Sequence, residues 1–423
     1  MRTSTPRPLA MALLLLAALG LLGPRFLGPV VVAGQSGAAE ATPFTIDVPD
    51  AALDDLQRRL ARARFPDELD GSGWTRGTDL TYLRQLVEYW RDGYDWRAQE
   101  RTLNEFPHFT MNVDGLDVHF IHRRSPEPDA LPLMLIHGWP GTFFEFWKTV
   151  DRLADPVSHG GEAEDAFHVV VPSLPGYGFS ERPRRMGHSR RRTARMFMEV
   201  MARLGYDRYG VQAGDVGASV AHNMAVYDAD RVAGLHLNSC GGAPPDPDNP
   251  HAGLTDAEIE RLRERREYFS DEERGYQRIQ ATRPQTLGYG LNDSPVGLAA
   301  WIVEKYRTWC DCGGDPEAIF TKDELLNTVM IYWVTETATS AARYYYEGQH
   351  IPEPPYVPPT DRVAVPTGCT VFPGELGFSP RSWAETRYNV QRFTYMERGG
   401  HFAALEQPEL FSDELRAFYR ELR

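Results

Sequence analysis

Cysteine is scarce in this chain of 423 residues, which has only four: Cys240, Cys310, Cys312 and Cys369. Their spacing contains no Cys-x-x-Cys pair with matching histidines, so the pattern argues against a zinc site. So few cysteines in a chain of this length are not a disulfide scaffold either. We therefore expect buried free thiols at these positions and no bound metal.

Positive charge is also in short supply, because 45 lysines and arginines face 59 aspartates and glutamates, and the net charge is −14. A surface this acidic repels phosphate groups, which argues against nucleic acid as a partner. Glycine and proline, at 37 and 32 residues, stay below the share of about 25–30% that marks low-complexity disorder. The composition indicates a globular protein of enzyme size, with one large domain and an insertion or with about two to three packed units.

Long apolar runs are confined to the N-terminus. Two arginines within the first seven residues precede an apolar stretch from Leu9 to Ala33. A basic start followed by such a stretch is typical of an export signal peptide, and the small residues at 31–33 and 39–41 are candidate cleavage sites. The alternative is an uncleaved membrane anchor, because residues 9–33 are long enough to span about 30 Å of hydrocarbon. We favour cleavage, which predicts a secreted or periplasmic protein, and exclude residues 1–41 from the fold.

The hydrophobic periodicity of the remaining chain is first helical and then of period two. Apolar residues at helical spacing predict amphipathic helices over Ala51–Arg64 and Leu80–Trp96. Residues 109–113 and 116–121 then alternate around Asp114-Gly115, a pair typical of a type I′ hairpin turn.

Short continuous apolar runs, separated by helical patterns, follow at residues 131–136, 167–171, 208–212 and 235–238. Continuous apolarity is typical of parallel strands that are buried on both faces. We therefore predict an α/β fold, with a doubly wound and mostly parallel sheet that carries helices on both faces.

A helical stretch with the size of a lid or cap interrupts this alternation. Strand patterns resume at residues 369–372 and 392–396, and a helical pattern at 407–422 closes the chain. The predicted organisation is a signal or anchor segment at 1–41, a helical meander at 42–105, a first core part at 106–240, a helical cap at 241–350 and a second core part at 351–423.

Three turns at strand ends carry the residues of chemical interest. The glycines of His137-Gly138-Trp139-Pro140-Gly141 allow a sharp turn with backbone N–H groups directed at a cleft. Ala213-Gly214-Asp215-Val216-Gly217 places small residues around an acidic apex, which is the pattern of a nucleophile elbow. Gly399-Gly400-His401-Phe402 follows the last strand, and Glu375 follows the strand before it.

Each motif also has an ordinary structural explanation. The first is compatible with a plain strand-to-helix turn, Asp215 with a helix N-cap, and His401 with a structural histidine. The order nucleophile, acid, histidine is nevertheless the one that an α/β-hydrolase sheet predicts. Strand ends of a parallel sheet converge at its carboxyl edge, where such folds place their sites. The motifs together therefore predict one catalytic site.

The chain resembles the microsomal-type epoxide hydrolases of the α/β-hydrolase superfamily over essentially everything after residue 42. The resemblance is carried by the turn His137–Gly141 and by Gly73-Trp74, Tyr89-Trp90-Arg91, Tyr94-Asp95-Trp96-Arg97, Leu103-Asn104-Glu105-Phe106-Pro107, Pro172–Ser180, Asn292–Ala300 and Arg398–Ala404.

The resemblance implies Asp215 as nucleophile, Glu375 as the acid of the triad and His401 as base. Two cap tyrosines protonate the opening ring in this family. Tyr276 matches the first of them. The second lies in Tyr344-Tyr345-Tyr346, where we favour Tyr345 and leave either neighbour open.

The predicted chemistry suits these residue types. An epoxide carbon must be displaced from behind, and a carboxylate does this in the form that prevails at neutral pH. Phenols can donate a proton to the leaving oxygen. The backbone N–H groups of Trp139 and Val216 are the candidate oxyanion hole for hydrolysis of the resulting ester. The family usually has tryptophan where Val216 stands, so we expect a smaller pocket wall here.

The predicted partner is a small hydrophobic epoxide, and the reaction requires neither a metal nor an organic cofactor. Membrane association is expected only through residues 9–33, and the oligomeric state is left open. The alternatives are a haloalkane dehalogenase, for which Val216 offers no halide donor, and a non-catalytic binding protein on the same fold. A serine hydrolase would have to use Ser219, which lies one turn past the elbow.

Overall fold

A computed structural model describes residues 41–350 and 362–423. Within these residues, nine strands form a single sheet. They are β1 (Thr42–Phe44), β2 (His108–Val113), β3 (Leu116–Arg123), β4 (Leu131–Ile136), β5 (Phe167–Pro172), β6 (Tyr209–Ala213), β7 (Val232–Asn238), β8 (Val363–Val371) and β9 (Tyr388–Tyr395).

The strands lie in the order β1-β2-β3-β5-β4-β6-β7-β8-β9. The pairs β1–β2, β2–β3 and β3–β5 are antiparallel, and every pair from β5 to β9 is parallel. All residues of β6 and β7 are buried. Helices on both faces exclude water from these strands, which explains their continuous apolarity. The mostly parallel α/β sheet predicted from the sequence is confirmed.

The helices of the described residues are α1 (Asp50–Ala61), α2 (Leu80–Asp92), α3 (Trp96–Leu103), α4 (Val150–Ala154), α5 (Arg190–Arg203), α6 (Asp215–Tyr227), α7 (Asp256–Tyr268), α8 (Gly275–Thr282), α9 (Pro284–Asp293), α10 (Pro295–Trp309), α11 (Lys322–Thr335), α12 (Ala338–His350), α13 (Arg381–Ala384), α14 (Ala403–Glu406) and α15 (Pro408–Tyr419). Helices α7–α12 follow β7, in the stretch that we expect to form the cap.

The hairpin between β2 and β3 is the turn that the sequence predicts. Asp114 and Gly115 both have positive φ, at 53° and 77°. A type I′ turn requires this of its two central residues. Val113 and Leu116 therefore pair directly, and the two strands keep a regular register.

The structure has two helices where the sequence predicts one. The apolar spacing over Leu80–Trp96 predicts a continuous helix, but α2 ends at Asp92 and α3 begins at Trp96. The Asp95 side chain accepts a hydrogen bond from the backbone N–H of Ala98 and so caps α3. A capping aspartate competes with continued helix, and periodicity alone does not detect it.

The expectation of free thiols is wrong. Cys240 forms a disulfide with Cys369, and Cys310 forms one with Cys312. Cys240 follows β7 and Cys369 lies in the neighbouring strand β8, so their Cα atoms are 5.5 Å apart although 129 positions separate them in the sequence. Only the pairing of β7 with β8 brings them together, and cysteine spacing carries no information about that pairing.

No helix within residues 41–350 and 362–423 is long and apolar enough to cross a bilayer. The predicted signal or anchor stretch at residues 9–33 lies outside the described residues.

Candidate active site

The elbow predicted at Asp215 is a strained turn between β6 and α6. Asp215 has a φ of 46°, in the left-handed region that costs a residue other than glycine about 1–3 kcal/mol. Gly217 is the residue that lets this turn approach β4. A Cβ on Gly217 would lie 2.5 Å from the Ile136 carbonyl oxygen and 2.6 Å from that of His137. The small residue is therefore required by backbone contact.

The turn after β4 holds one oxygen of the Asp215 carboxylate. The backbone N–H of Trp139 donates to Asp215 Oδ1 at 2.9 Å, and a side chain on Gly138 would overlap the same carboxylate. His137 braces the turn, because its Nδ1 lies 3.0 Å from the Gly138 carbonyl oxygen and its Nε2 accepts from the backbone N–H of Leu174 at 3.1 Å.

His401 lies between two carboxylates. Its Nδ1 is 2.7 Å from Glu375 Oε1, and its Nε2 is 3.7 Å from Asp215 Oδ2. Burial on its own would lower the pKa of His401, but the charges of Glu375 and Asp215 outweigh burial and raise that pKa to about 9. The structure thus brings together Asp215, Glu375 and His401, which the sequence places far apart.

Both predicted tyrosines face the same cavity, which has a volume of about 270 Å³ and is lined by Asp215, Val216, His401, Tyr276 and Tyr345 among others. The ring of Tyr276 stacks on that of Trp139, with centroids 4.8 Å apart. Burial, and next the Asp215 carboxylate, raise the pKa of both phenols well above the usual value. The two phenols are therefore held in their protonated form beside the carboxylate.

The cavity distinguishes the members of the tyrosine triplet. The Tyr344 hydroxyl donates to Thr193 Oγ1 at 2.9 Å, and the Tyr346 ring stacks on His350 with centroids 4.2 Å apart. The Tyr345 hydroxyl is buried and has no hydrogen-bond partner in the part of the chain that the structure describes. Of the three hydroxyls, that of Tyr345 is thus the one left available in the cavity.

Two charged residues near the site were not predicted from the sequence. Arg190, at the start of α5, lines the cavity. Glu145 lies among buried phenylalanines, and burial raises its pKa to about 8. An acid inside an apolar run, Phe143-Phe144-Glu145-Phe146, is a visible exception that could have drawn attention to Glu145. Nothing in the sequence around Arg190 distinguishes it from the arginines beside it.

Known proteins match the chain over most of its length. The family description "Epoxide hydrolase N terminus" matches residues 41–146, and "alpha/beta hydrolase fold" matches residues 132–270. A putative epoxide hydrolase from Stigmatella aurantiaca is 46% identical over 90% of this chain and 85% of that protein. This chain belongs to the epoxide hydrolases. Epoxide hydrolase 1 from Sus scrofa is 38% identical over 94% of this chain and 92% of that protein.

Solved epoxide hydrolase structures have the same fold. The juvenile hormone epoxide hydrolase of the silkworm Bombyx mori superposes with a TM-score of 0.84 at 32% identity, over 91% of this chain and 95% of that one. The Aspergillus niger epoxide hydrolase superposes with a TM-score of 0.80 at 33% identity, over 91% of this chain and 97% of that one. The resemblance read from the sequence is confirmed. As an epoxide hydrolase, this protein adds water to an epoxide and yields a vicinal diol through an ester on an aspartate.

Proposed function

We propose that Asp215 is the aspartate that forms this ester, with His401 as base and Glu375 as the acid that orients it. The contacts of the Asp215 carboxylate support this assignment. Trp139 N–H binds Oδ1 at 2.9 Å, which leaves Oδ2 to attack the epoxide carbon from the cavity. The Nε2 atom of His401 lies 3.7 Å from the same Oδ2. Oδ1 then becomes the carbonyl oxygen of the ester.

Tyr276 and Tyr345 both donate hydrogen bonds to the epoxide oxygen, and one of the two phenols transfers its proton to this oxygen as the C–O bond breaks, which leaves a tyrosinate. Burial and the Asp215 charge raise the pKa of both phenols, so each carries its proton at neutral pH. The unpartnered hydroxyl of Tyr345 supports this role, because a buried donor without an acceptor is satisfied when a substrate oxygen arrives. Two donors also divide the charge that develops on the leaving oxygen.

Ester formation changes the charge that His401 experiences. The Asp215 carboxylate contributes to the raised pKa of His401, about 9 in the free enzyme. Alkylation converts this carboxylate into a neutral ester, so the pKa of His401 falls. The imidazolium then gives its proton back to the tyrosinate that ring opening left. Neutral imidazole, oriented by Glu375 at 2.7 Å, then takes a proton from the attacking water. The first step of the reaction thus prepares the base for the second.

Water attacks Cγ of the Asp215 ester and places negative charge on the former Oδ1. The N–H of Trp139 already lies at that atom, and the N–H of Val216 supplies the second donor of the oxyanion hole. Such a donor contributes about 3–4 kcal/mol to the stability of the transition state. Collapse of the intermediate breaks the bond from Cγ to the diol oxygen, which takes the proton from the His401 imidazolium. The carboxylic acid left on Asp215 then gives its proton to His401, and the carboxylate is regenerated.

The proposed substrate is a small epoxide with a hydrophobic part, in keeping with a cavity of about 270 Å³ whose apolar lining residues include Val216, Phe269 and Leu376. We propose that helices α7–α12 form the cap over this cavity, because Tyr276 and Tyr345 come from α8 and α12. Conversion of reactive epoxides into inert diols would give the protein a detoxifying role.

Export is the proposed localisation. The basic and apolar N-terminal pattern supports it, and so does the disulfide between Cys240 and Cys369, because disulfides persist in oxidising compartments. N-terminal sequencing of the natural protein should find a start between Gly34 and Thr42. Recovery of Met1 in a membrane fraction would favour the anchor.

A single turnover of a simple aryl epoxide in oxygen-labelled water tests the assignment of Asp215. With enzyme in excess, the diol should receive its new oxygen from Asp215 and remain unlabelled, while the label enters the Asp215 carboxylate. Peptide mapping locates the label. Label in the diol after the first turnover would indicate direct attack by water and would contradict the ester on Asp215.

A further inference from the structure

The active-site cavity contains a guanidinium that the reaction described above does not use. Arg190 is the first residue of α5 and lines the cavity together with Asp215, Tyr276 and Tyr345. Its side chain is half-buried, so one part faces the cavity and another part reaches solvent.

Arg190 differs from its neighbours in lacking an acceptor. Arg192 forms an ion pair with Asp114, and the Arg191 guanidinium lies 4.7 Å from the centroid of the Tyr227 ring. Within residues 41–350 and 362–423, no side chain or carbonyl accepts a hydrogen bond from Arg190, and its Nε is buried without a partner. A buried donor left unpaired costs free energy that a ligand with an acceptor group would recover.

The guanidinium has a defined position beside the tyrosine of α12. Its Cζ lies 3.3 Å, and its Nε 3.5 Å, from the point where a Cβ of Gly348 would stand. Gly348 is three residues after Tyr345, on the same side of the helix. The absence of a side chain at Gly348 therefore leaves room for Arg190 against the segment that presents the Tyr345 hydroxyl.

The local electrostatics of the fold do not favour a cation here. The N-terminus of a helix is the positive end of its dipole, and a positive side chain in the first turn is unfavourable there. Arg190 occupies this position in α5, whose first turn contains no acidic residue. A cation that is unfavourable at this helix end and lines the reacting cavity is a candidate for recognition of the substrate.

We propose that Arg190 binds a carboxylate on the substrate, so that the epoxides this enzyme prefers carry an acidic group. The proposal rests on the proposed function of the same cavity. A single guanidinium matches a planar carboxylate with two parallel hydrogen bonds. A dianionic group such as a phosphate is a poorer match, because the Asp215 and Glu375 carboxylates line the same cavity and repel added negative charge.

The experiment compares terminal epoxides that carry a carboxylate with their methyl esters, over a series of chain lengths. The wild-type enzyme should prefer the acid over the ester at the chain length that reaches Arg190. Arg190→Leu should lower the ratio of the two kcat/KM values, acid over ester, by about 10–100-fold, chiefly by raising KM for the acid. Arg190→Lys keeps the charge and should restore part of the ratio.

Arg195→Leu is the matched control, because it removes an exposed arginine from the same helix and outside the cavity; it should leave the ratio unchanged. Turnover of the methyl esters tests whether the epoxide reaction itself takes place. The ratio of kcat/KM for acid over ester tests the role of Arg190. An unchanged ratio in Arg190→Leu would overturn the proposal. An equal loss of kcat for acid and ester would also overturn it, since Arg190 would then serve ring opening beside Tyr345.

Discussion

The two phenols of the cavity are positioned by different contacts. The Tyr276 ring stacks on Trp139, the residue whose N–H binds the Asp215 carboxylate, while the Tyr345 ring meets the edge of Trp139 at 6.2 Å between centroids. One tryptophan thus contacts both proposed proton donors and the nucleophile. Ring positions that depend on stacking survive the loss of a hydroxyl, so each phenol can be tested by a phenylalanine substitution that preserves its packing.

Removal of either hydroxyl should slow ring opening and leave ester hydrolysis unchanged. Tyr276→Phe and Tyr345→Phe should each lower the alkylation rate by about 10–10³-fold, and the double variant should nearly abolish it. Single-turnover measurement of adduct formation tests this. Alkylation at the parental rate in Tyr276→Phe would refute the cap tyrosines as proton donors.

Tyr344→Phe and Tyr346→Phe are the controls for the tyrosine triplet. Tyr344 donates to Thr193, so its hydroxyl contributes to stability, and Tyr346 stacks on His350 near the surface. Both variants should alkylate at the parental rate. Sensitivity at either of these positions instead of Tyr345 would move the second donor to that residue.

At the scale of elements, the β6–α6 elbow depends on close backbone approach. Gly217→Ala should lower stability and activity, because its Cβ would lie 2.5 Å from the carbonyl oxygen of Ile136. Overpacking of this kind costs about 1–3 kcal/mol, more than the helix propensity that alanine adds. The measurement is Tm together with kcat/KM.

Gly290→Ala is the control for that substitution. Gly290 also lies inside a helix, α9, but a Cβ there would have no atom within 4 Å. This variant should keep its activity and gain up to about 1 kcal/mol of stability. If Gly217→Ala leaves Tm and kcat/KM unchanged, the elbow tolerates a wider turn than the contacts imply.

Elements were predictable where a local rule dominates. The Asp114-Gly115 pair demands positive φ at both positions, so the hairpin and its register follow from two residues. The break between α2 and α3 was missed because the cap at Asp95 outweighs a continuous apolar stripe. The short edge strand β1 was missed because its three residues, Thr42–Phe44, depend on pairing with β2.

At the scale of the whole molecule, strand order decides which distant residues meet. The sequence predicts that Asp215, Glu375 and His401 converge, because parallel strand ends share one edge of the sheet. No comparable sequence rule predicts which side chains meet where helices and strands pack against one another. The pairing of Cys240 with Cys369 and the place of Arg190 in the cavity depend on how strands and helices pack, so spacing could not predict them.

The ester on Asp215 can be detected in the intact mass of His401→Gln after this variant is mixed with an aryl epoxide. Without the imidazole that activates water, alkylation proceeds while hydrolysis stalls. The protein mass should rise by the mass of one substrate molecule, peptide mapping should locate the addition on Asp215, and Asp215→Ala with the same histidine substitution should show none. A His401→Gln variant that stays unmodified, or an adduct that persists without Asp215, would show that the reaction does not pass through an ester on Asp215.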